Sequence, residues 1–143
     1  MKTLMVKVDP RQRKWWVVDL AGGSPGRIAV QVANILRGKN KPVFSPHVDN
    51  GDNVIAINAA SMSIGQKKLI QKKYYRYSGY PGGLSETTLG EMMTKKPEQA
   101  FRLAVRRMLP KNRLGRKVFK KLHVYPGAEH PHAAQKPEKL ELK

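Results

Sequence analysis

The sequence contains no cysteine among its 143 residues. This absence excludes disulfide bonds, thiolate nucleophiles and cysteine-ligated zinc sites. No apolar run approaches the roughly 18 residues that a membrane span needs, since the longest runs, at 15–18 and 54–57, have only the length of a strand. The first residues have too short an apolar stretch for a secretory signal and include Asp9. We therefore expect the protein to work in the compartment where it is made.

Acidic residues are scarce. The chain has 10 Asp and Glu against 28 Lys and Arg, which gives a formal net charge of +18. So large an excess of one sign destabilises a compact monomer by self-repulsion, and a polyanionic partner relieves that repulsion. The composition therefore indicates a nucleic-acid partner in preference to a merely soluble basic protein.

The length is that of one domain, which we assign to residues 1–143. A strand is predicted at Trp15–Asp19. A helix should begin after Ser24 and Pro25, which favour a helix start, and end before Gly38. The remaining predicted elements are a strand at 53–58, helices at 87–95, 97–109 and 113–121, and a strand at 122–125.

This order of strand, helix, strand and further helices is typical of an α/β domain with a small, mostly parallel sheet. The predicted core lies on two helical stripes. The stripe residues are Ile28, Ala29, Val32, Ala33 and Leu36 in the first helix and Ala100, Phe101, Ala104, Val105 and Met108 in the helix at 97–109. Residues 1–14 and 126–143 are predicted to be an extended lead-in and an extended tail.

The segment at 72–83 reads KKYYRYSGYPGG and holds three cations and four of the five tyrosines. No acid occurs between Asn53 and Ser85 to neutralise this charge. Cations bind phosphates, and tyrosine rings stack on exposed bases. We interpret the segment as a loop that binds nucleic acid.

A second basic block runs from Gln99 to Ala128 and contains no acid. Arg102 and Arg106 are four residues apart and share one face of a predicted helix. We expect Pro110 and Gly115 to let the backbone follow a row of phosphates, which the guanidinium groups would then bind. The nine cations of the block are Arg102, Arg106, Arg107, Lys111, Arg113, Arg116, Lys117, Lys120 and Lys121.

Three smaller patterns invite a catalytic or ligand-binding interpretation. The glycine-rich turn at 22–27 fits neither dinucleotide nor Walker spacing, so either a phosphate binds at the helix start beside Arg27 or the glycines only form a tight turn. His47, Asp49 and Asp52 could form a metal or general-base site, although Asp and Asn near a glycine are also common turn formers, which we favour.

The third pattern is a pair of histidines separated by proline. His130 and His132 lack a nearby third ligand, so they form a poor metal site, and we expect them to contact RNA or a neighbouring protein. No serine lies in a nucleophile elbow, and paired carboxylates are not evident. The sequence therefore predicts no catalytic residue, no cofactor and no metal.

The order of motifs resembles the bacterial-type ribosomal protein L13 (uL13) family over nearly the whole chain. The resemblance implies a three-layer α/β/α fold and a structural role in the large ribosomal subunit. It also implies direct rRNA binding, a part in early subunit assembly and, in some members, mRNA binding with translational repression. The motifs are WWVVD at 15–19, GRIA at 26–29, LRGKNKP at 36–42, SPHVDNGD at 45–52, INA at 57–59, YYRYSGYPGG at 74–83, RRMLPKNRLGRKVFKKLHVYPG at 106–127 and EHPHAAQKPEKL at 129–140.

A few positions depart from the family pattern. Arg107 and Asn112 stand where the family commonly has glycine, which leaves the local backbone path of this loop open. Pro25 replaces a more usual leucine, and the turn at 64–66 reads IGQ where TGK or TGN is common.

These observations predict a non-enzymatic protein of a cytoplasmic ribosome, or of an organellar one. Its expected partners are large-subunit rRNA and neighbouring ribosomal proteins, without a membrane or a small-molecule substrate. An RNA-modifying or nucleotide-using enzyme and a DNA-compacting protein are the alternatives. The predicted RNA-binding residues are Arg27, Arg37, Lys39, Lys41, His47, Lys67, Lys68, Lys72, Lys73, Tyr74, Tyr75, Arg76, Tyr77, Arg106, Arg107, Lys111, Arg113, Arg116, Lys117, Lys120, Lys121, His130 and His132.

Overall fold

A computed structural model describes residues 12–140 and contains a four-stranded parallel sheet beside a separate two-stranded hairpin. The order of the large sheet is β5-β2-β1-β6. The predicted α/β class with a mostly parallel sheet is confirmed. The elements are β1 Trp15–Asp19, α1 Pro25–Arg37, β2 Asn53–Ile57, α2 Gln66–Gln71, β3 Lys73–Tyr77, β4 Leu84–Thr88, α3 Leu89–Lys95, α4 Pro97–Met108, α5 Arg113–Phe119, β5 Leu122–Val124 and β6 Glu138–Lys139.

The first β-α-β unit has the helix bounds that its helix-start and helix-stop residues predict. Pro25 occupies the first turn of α1, and Gly38 ends the helix in the left-handed conformation with φ of 79°. Ser24 holds the N-cap position, but its side chain makes no capping hydrogen bond. β1 and β2 then pair in parallel, with Val17 opposite Ile55.

One face of the sheet packs against α1, α4 and α5. The predicted stripe of α1 is wholly buried there, together with Phe101 and Val105 of α4. Met108 was predicted to face the core and is instead 38% exposed, so this prediction is wrong. Leu109, in extended conformation before Pro110, is buried in its place.

The basic-aromatic segment is a β-hairpin, so its prediction as a loop is wrong. β3 pairs with β4 in antiparallel register, and Tyr77 lies opposite Leu84. The turn between them contains two glycines with positive φ, Gly79 at 93° and Gly82 at 72°. Alternation along β3 directs Tyr74 inward, where it packs with Leu89 and Ala100 in a second apolar cluster.

The C-terminal tail is more structured than predicted. Glu138–Lys139 forms the edge strand β6, which pairs in parallel with β1. The N–H of Leu140 donates to the carbonyl of Val17 at 2.8 Å, and the Leu140 side chain packs on the main core. Of the predicted lead-in, residues 1–11 lie outside the described residues.

Candidate nucleic-acid interface

Six exposed cations of α4, of α5 and of the residues that flank α5 make up a surface that we call the basic ridge: Arg106, Lys111, Arg113, Arg116, Lys117 and Lys120. All six side chains are exposed. Asn112 fixes the entry to α5, because its Oδ1 accepts a hydrogen bond from the Gly115 N–H at 2.7 Å. Residues four apart then share a face of the helix, as do Arg113 and Lys117.

No carboxylate neutralises the basic ridge within the described chain. The ion pairs among residues 12–140 use other cations, namely Arg13, Lys14, Lys41, Lys73 and Lys121. The ridge guanidinium and ammonium groups therefore face solvent and one another without an internal counterion. Such a surface attracts a polyanion.

The backbone at Asn112 needs no glycine, and the glycine at 115 has a packing role. Asn112 has a φ of −114°, which any residue adopts, and its side chain caps α5. Gly115 is buried, and a β-carbon there would collide with the carbonyl oxygen of Pro110. This glycine serves the packing of the 109–112 turn against α5, where the sequence had suggested that it follows a phosphate row.

The hairpin divides the predicted tyrosines between two faces. Tyr75 and Tyr77 are 62% and 63% exposed on the face of β3 that also carries Lys73. Lys73 pairs with Glu86 at 2.9 Å, which raises its pKa. The exposed tyrosine rings are open to a stacking partner.

Tyr74 faces the protein. Only 8% of it is exposed, and two cations lie near its ring: Lys72 Nζ at 5.5 Å and the Arg107 guanidinium at 5.2 Å from the centroid. Its assignment as an RNA-binding residue is therefore withdrawn, since its ring packs inside the second cluster. Arg107 joins α4 to the hairpin through the same contact.

Lys121 was also assigned to RNA, and the structure places it in the interior with 6% exposure. Its ammonium donates to the carbonyl oxygens of Leu36 and Gly51, each at 3.1 Å, and pairs with the Asp49 carboxylate. Burial lowers its pKa, and the hydrogen bond to Asp49 partly opposes that shift. Because the ammonium already has protein partners, we no longer assign Lys121 to phosphate binding.

Asp49 and Asp52 belong to a structural network, in line with the non-catalytic interpretation that the sequence favours. Asp52 is 1% exposed and accepts hydrogen bonds from the Lys14 N–H at 3.1 Å and Trp16 Nε1 at 3.2 Å. It also pairs with Lys41 Nζ at 2.6 Å, so Lys41 is partly committed to the fold. His47 stays exposed on the same loop.

The glycine-rich turn before α1 is explained by backbone geometry. Gly22 has a φ of 67°, and a β-carbon on Gly23 would meet the side chain of Ile28. The left-handed conformation of Gly22 is one that a tight turn requires and glycine favours, whereas the Ile28 side chain can move away from a β-carbon on Gly23. Gly22 therefore favours the tight-turn alternative over a phosphate site. Arg27 lies exposed in the first turn of α1.

A histidine cluster that sequence reasoning missed covers the other face of the sheet. The Trp15 ring stacks on His123 with centroids 5.6 Å apart, and His132 lies 4.6 Å from His123. His132 Nε2 and the Tyr125 hydroxyl are 2.8 Å apart. The alternation of side chains along the strands could have predicted this cluster, because it places residue 123 on the same face of the sheet as residues 15 and 55.

His130 and His132 are both half-buried in this cluster, and their contact with RNA stays a prediction. Among the residues of the chain that the structure describes, no group of three His, Asp or Glu side chains could hold a metal ion. Over the same residues, no helix is both long enough and apolar enough to cross a bilayer.

The remaining predicted residues lie at several places on the surface. Arg37 is half-buried at the end of α1, and Lys39 follows it exposed. The other exposed cations are Lys67 and Lys68 on α2, Lys72 beside it and Arg76 on β3.

Comparison with known proteins gives a consistent result. A sequence model of the family described as ribosomal protein L13 matches residues 13–131. The chain is 59% identical over 143 residues to "Large ribosomal subunit protein uL13" of Aquifex aeolicus. The matched region covers 100% of this chain and 99% of that protein. The chain is 61% identical over 143 residues to the protein of the same name from Clostridium botulinum, with the same coverage. A Geobacillus relative of that name is 59% identical over 141 residues, 99% of this chain and 97% of the relative.

Replacing Lys121 by methionine should reduce the free energy of unfolding by about 3–5 kcal/mol, because buried acceptors lose their partner. Urea unfolding of the free protein measures this change. Lys120→Met removes an adjacent exposed charge and should stay within about 0.5 kcal/mol of the wild type. Equal effects of the two substitutions would contradict the buried role of Lys121.

His123 should make stability depend on pH in the mildly acidic range. Burial chiefly, and the nearby charges of His132 and Arg102, lower its pKa from the ordinary 6.5. The unfolded chain then binds more protons, so the His123 contribution is complete above about pH 6.5 and is lost as the pH falls through the lowered pKa. His123→Phe keeps a ring on Trp15 and should show a weaker loss of stability between about pH 7 and pH 5.

Urea unfolding at a series of pH values measures this dependence. His47→Phe, at an exposed position, serves as the matched control and should retain the wild-type pH profile. A wild-type profile for His123→Phe would refute the assignment.

Proposed function

The chain belongs to the ribosomal protein L13 family, and on this basis we propose that it binds large-subunit rRNA directly and takes part early in subunit assembly. It is a non-enzymatic structural protein of the large subunit in a bacterial-type ribosome. The rRNA and the adjacent ribosomal proteins are its partners. No small-molecule substrate is required for this role.

One observation carries the proposal: the basic ridge has no internal counterion among residues 12–140. Its cations stand on α4, on α5 and on the residues that flank α5, and Leu109 and Val118 fix this region to the core. A preorganised row of cations that neutralises RNA phosphates releases the counterions condensed on the RNA, which stabilises the complex. The ridge therefore supplies most of the affinity in this proposal.

The hairpin supplies a second kind of contact. Tyr75 and Tyr77 present rings on one exposed face, and bases in irregular RNA are available for stacking. Arg76 extends from the same strand in an exposed position. Aromatic and cationic groups on one hairpin suit a folded RNA surface with unpaired nucleotides.

Competition binding tests the choice of nucleic acid. The full chain should prefer structured fragments of large-subunit rRNA over duplex DNA at physiological salt. Equal affinity for both would instead support a DNA-compacting protein. Co-sedimentation with the large subunit after a moderate-salt wash gives an independent measurement.

Replacing Arg113, Arg116 and Lys117 together by glutamine should weaken rRNA binding and flatten the dependence of log K on log salt. Each lost phosphate contact changes the slope by about 0.7–0.9. The matched control replaces three exposed lysines outside the predicted set, Lys95, Lys136 and Lys139, by glutamine. If both triple variants show the same slope, the ridge has no special role in phosphate binding.

Tyr75→Ala should weaken rRNA binding by about 1–3 kcal/mol through lost stacking, with little change in the salt slope. Because Tyr75 is exposed, the free protein should keep its thermal stability. Tyr74→Ala is the counterpart and should lower the free energy of unfolding by about 3 kcal/mol, since it empties a packed site. Binding and thermal unfolding are measured for both variants. The division of roles would be contradicted if Tyr75→Ala lost stability while Tyr74→Ala lost only rRNA affinity.

A further inference from the structure

A cavity of about 490 Å³ lies where the end of α4 meets α5. We call it the ridge cavity. Its apolar wall is formed by Leu109, Pro110 and the ring of Phe119. The volume falls within the roughly 300–1,000 Å³ typical of clefts that hold small organic ligands. Electrostatic attraction to phosphate does not by itself account for an apolar wall on so basic a surface.

The rim of the ridge cavity is cationic. Arg106, Lys111, Arg116 and Lys120 line it, and no acid does. All four are exposed and none forms an ion pair within residues 12–140. The occupant must therefore be an anion, and it must also offer a flat or apolar portion to the Phe119 wall.

The position of Phe119 leaves its ring available to this cavity. Phe119 and Arg106 also line a second cavity of about 330 Å³, so they stand between the two. The Arg102 guanidinium lies 5.6 Å from the Phe119 centroid and lines only the second cavity. Arg102 thereby holds the ring from the far side.

The two cavities differ in the charge of their linings. Glu98 lines the second cavity and makes it less suited to phosphate. The ridge cavity has no such repulsion. Gly115 also keeps the turn at Pro110 packed against α5, so the cavity shape is set by the backbone.

Taken with the proposed rRNA binding, on which this inference rests, we propose that the ridge cavity binds a single unstacked nucleotide of the rRNA. The base lies against Phe119 and Leu109, and the flanking phosphates contact the cationic rim. A nucleotide combines a planar apolar ring with anionic phosphate, and unstacked bases commonly pack on aromatic side chains. The carboxylates of an acidic peptide would satisfy the cations but carry no ring, so a separate side chain would have to reach the apolar wall.

Titration of the wild-type chain with adenosine monophosphate tests this binding without any substitution. Ribose 5-phosphate and inorganic phosphate are the matched probes that lack a base. Only the nucleotide should shift the aromatic NMR signals of Phe119 strongly, and it should bind more tightly than ribose 5-phosphate. Equal affinities, or no change at Phe119, would overturn the proposal.

Phe119→Leu keeps an apolar side chain and removes the ring. It should weaken binding of the full chain to large-subunit rRNA by roughly 5- to 150-fold, while the salt slope stays at the wild-type value. Thermal unfolding shows whether the Phe119→Leu variant folds. If it does not fold, the nucleotide titration of the wild-type chain alone tests the nucleotide site. Wild-type affinity of a folded Phe119→Leu variant would refute the nucleotide site.

The two proposals fail in different ways. If Phe119→Leu binds normally while the Arg113, Arg116 and Lys117 triple variant loses its salt slope, rRNA binding stands and the nucleotide site falls. If neither the wild type nor the variants bind rRNA, both proposals fall.

Cross-linking identifies the occupant in the assembled subunit. A photo-reactive phenylalanine analogue placed at position 119 should form its adduct with rRNA. An adduct with a neighbouring ribosomal protein would assign the cavity to a peptide and overturn the proposal.

Discussion

The buried ammonium of Lys121 is the interaction on which the arrangement of the basic surface depends. It joins the carbonyl of Leu36 at the end of α1, the carbonyl of Gly51 and the carboxylate of Asp49. An ammonium has three donors, and here each has an acceptor, which offsets the loss of water around the charge. Because Lys121 stands between α5 and β5, this network fixes the cationic helix relative to the sheet.

The few acids and the many cations thus have separate roles. Asp49 and Asp52 neutralise Lys121, Arg13 and Lys41 near the start of the sheet, where burial makes an unpaired charge costly. The ridge cations receive no such compensation among residues 12–140. Their mutual repulsion raises the free energy of the isolated protein, and the proposed binding to a phosphate backbone would lower it again. Stability and recognition are therefore assigned to different lysines and arginines of one basic chain.

Local sequence signals predicted the elements whose boundaries are set locally. Pro25 and Gly38 delimit α1, and helical spacing identified its buried stripe. The same signals could not distinguish Lys121 from its neighbour Lys120, because the partners of Lys121 lie about 70 and 85 residues earlier in the chain. The hairpin was missed for another reason: its alternation has one buried position, Tyr74, and a single inward residue is too weak a pattern to predict a strand.

The contact between Arg107 and Tyr74 links the two surfaces assigned to RNA. Arg107 was unexpected from the family resemblance, in which a glycine is usual before this motif, and its guanidinium lies 5.2 Å from the Tyr74 centroid. Tyr74 lies on β3 between exposed Lys73 and Tyr75, and Arg107 follows Arg106 on α4. A glycine there would remove this contact and keep the apolar packing of Ala100 and Leu103 in the cluster around Tyr74. The arginine adds an electrostatic contact that restrains the exposed tyrosines relative to the basic ridge, and this restraint would preorganise both surfaces for the proposed RNA.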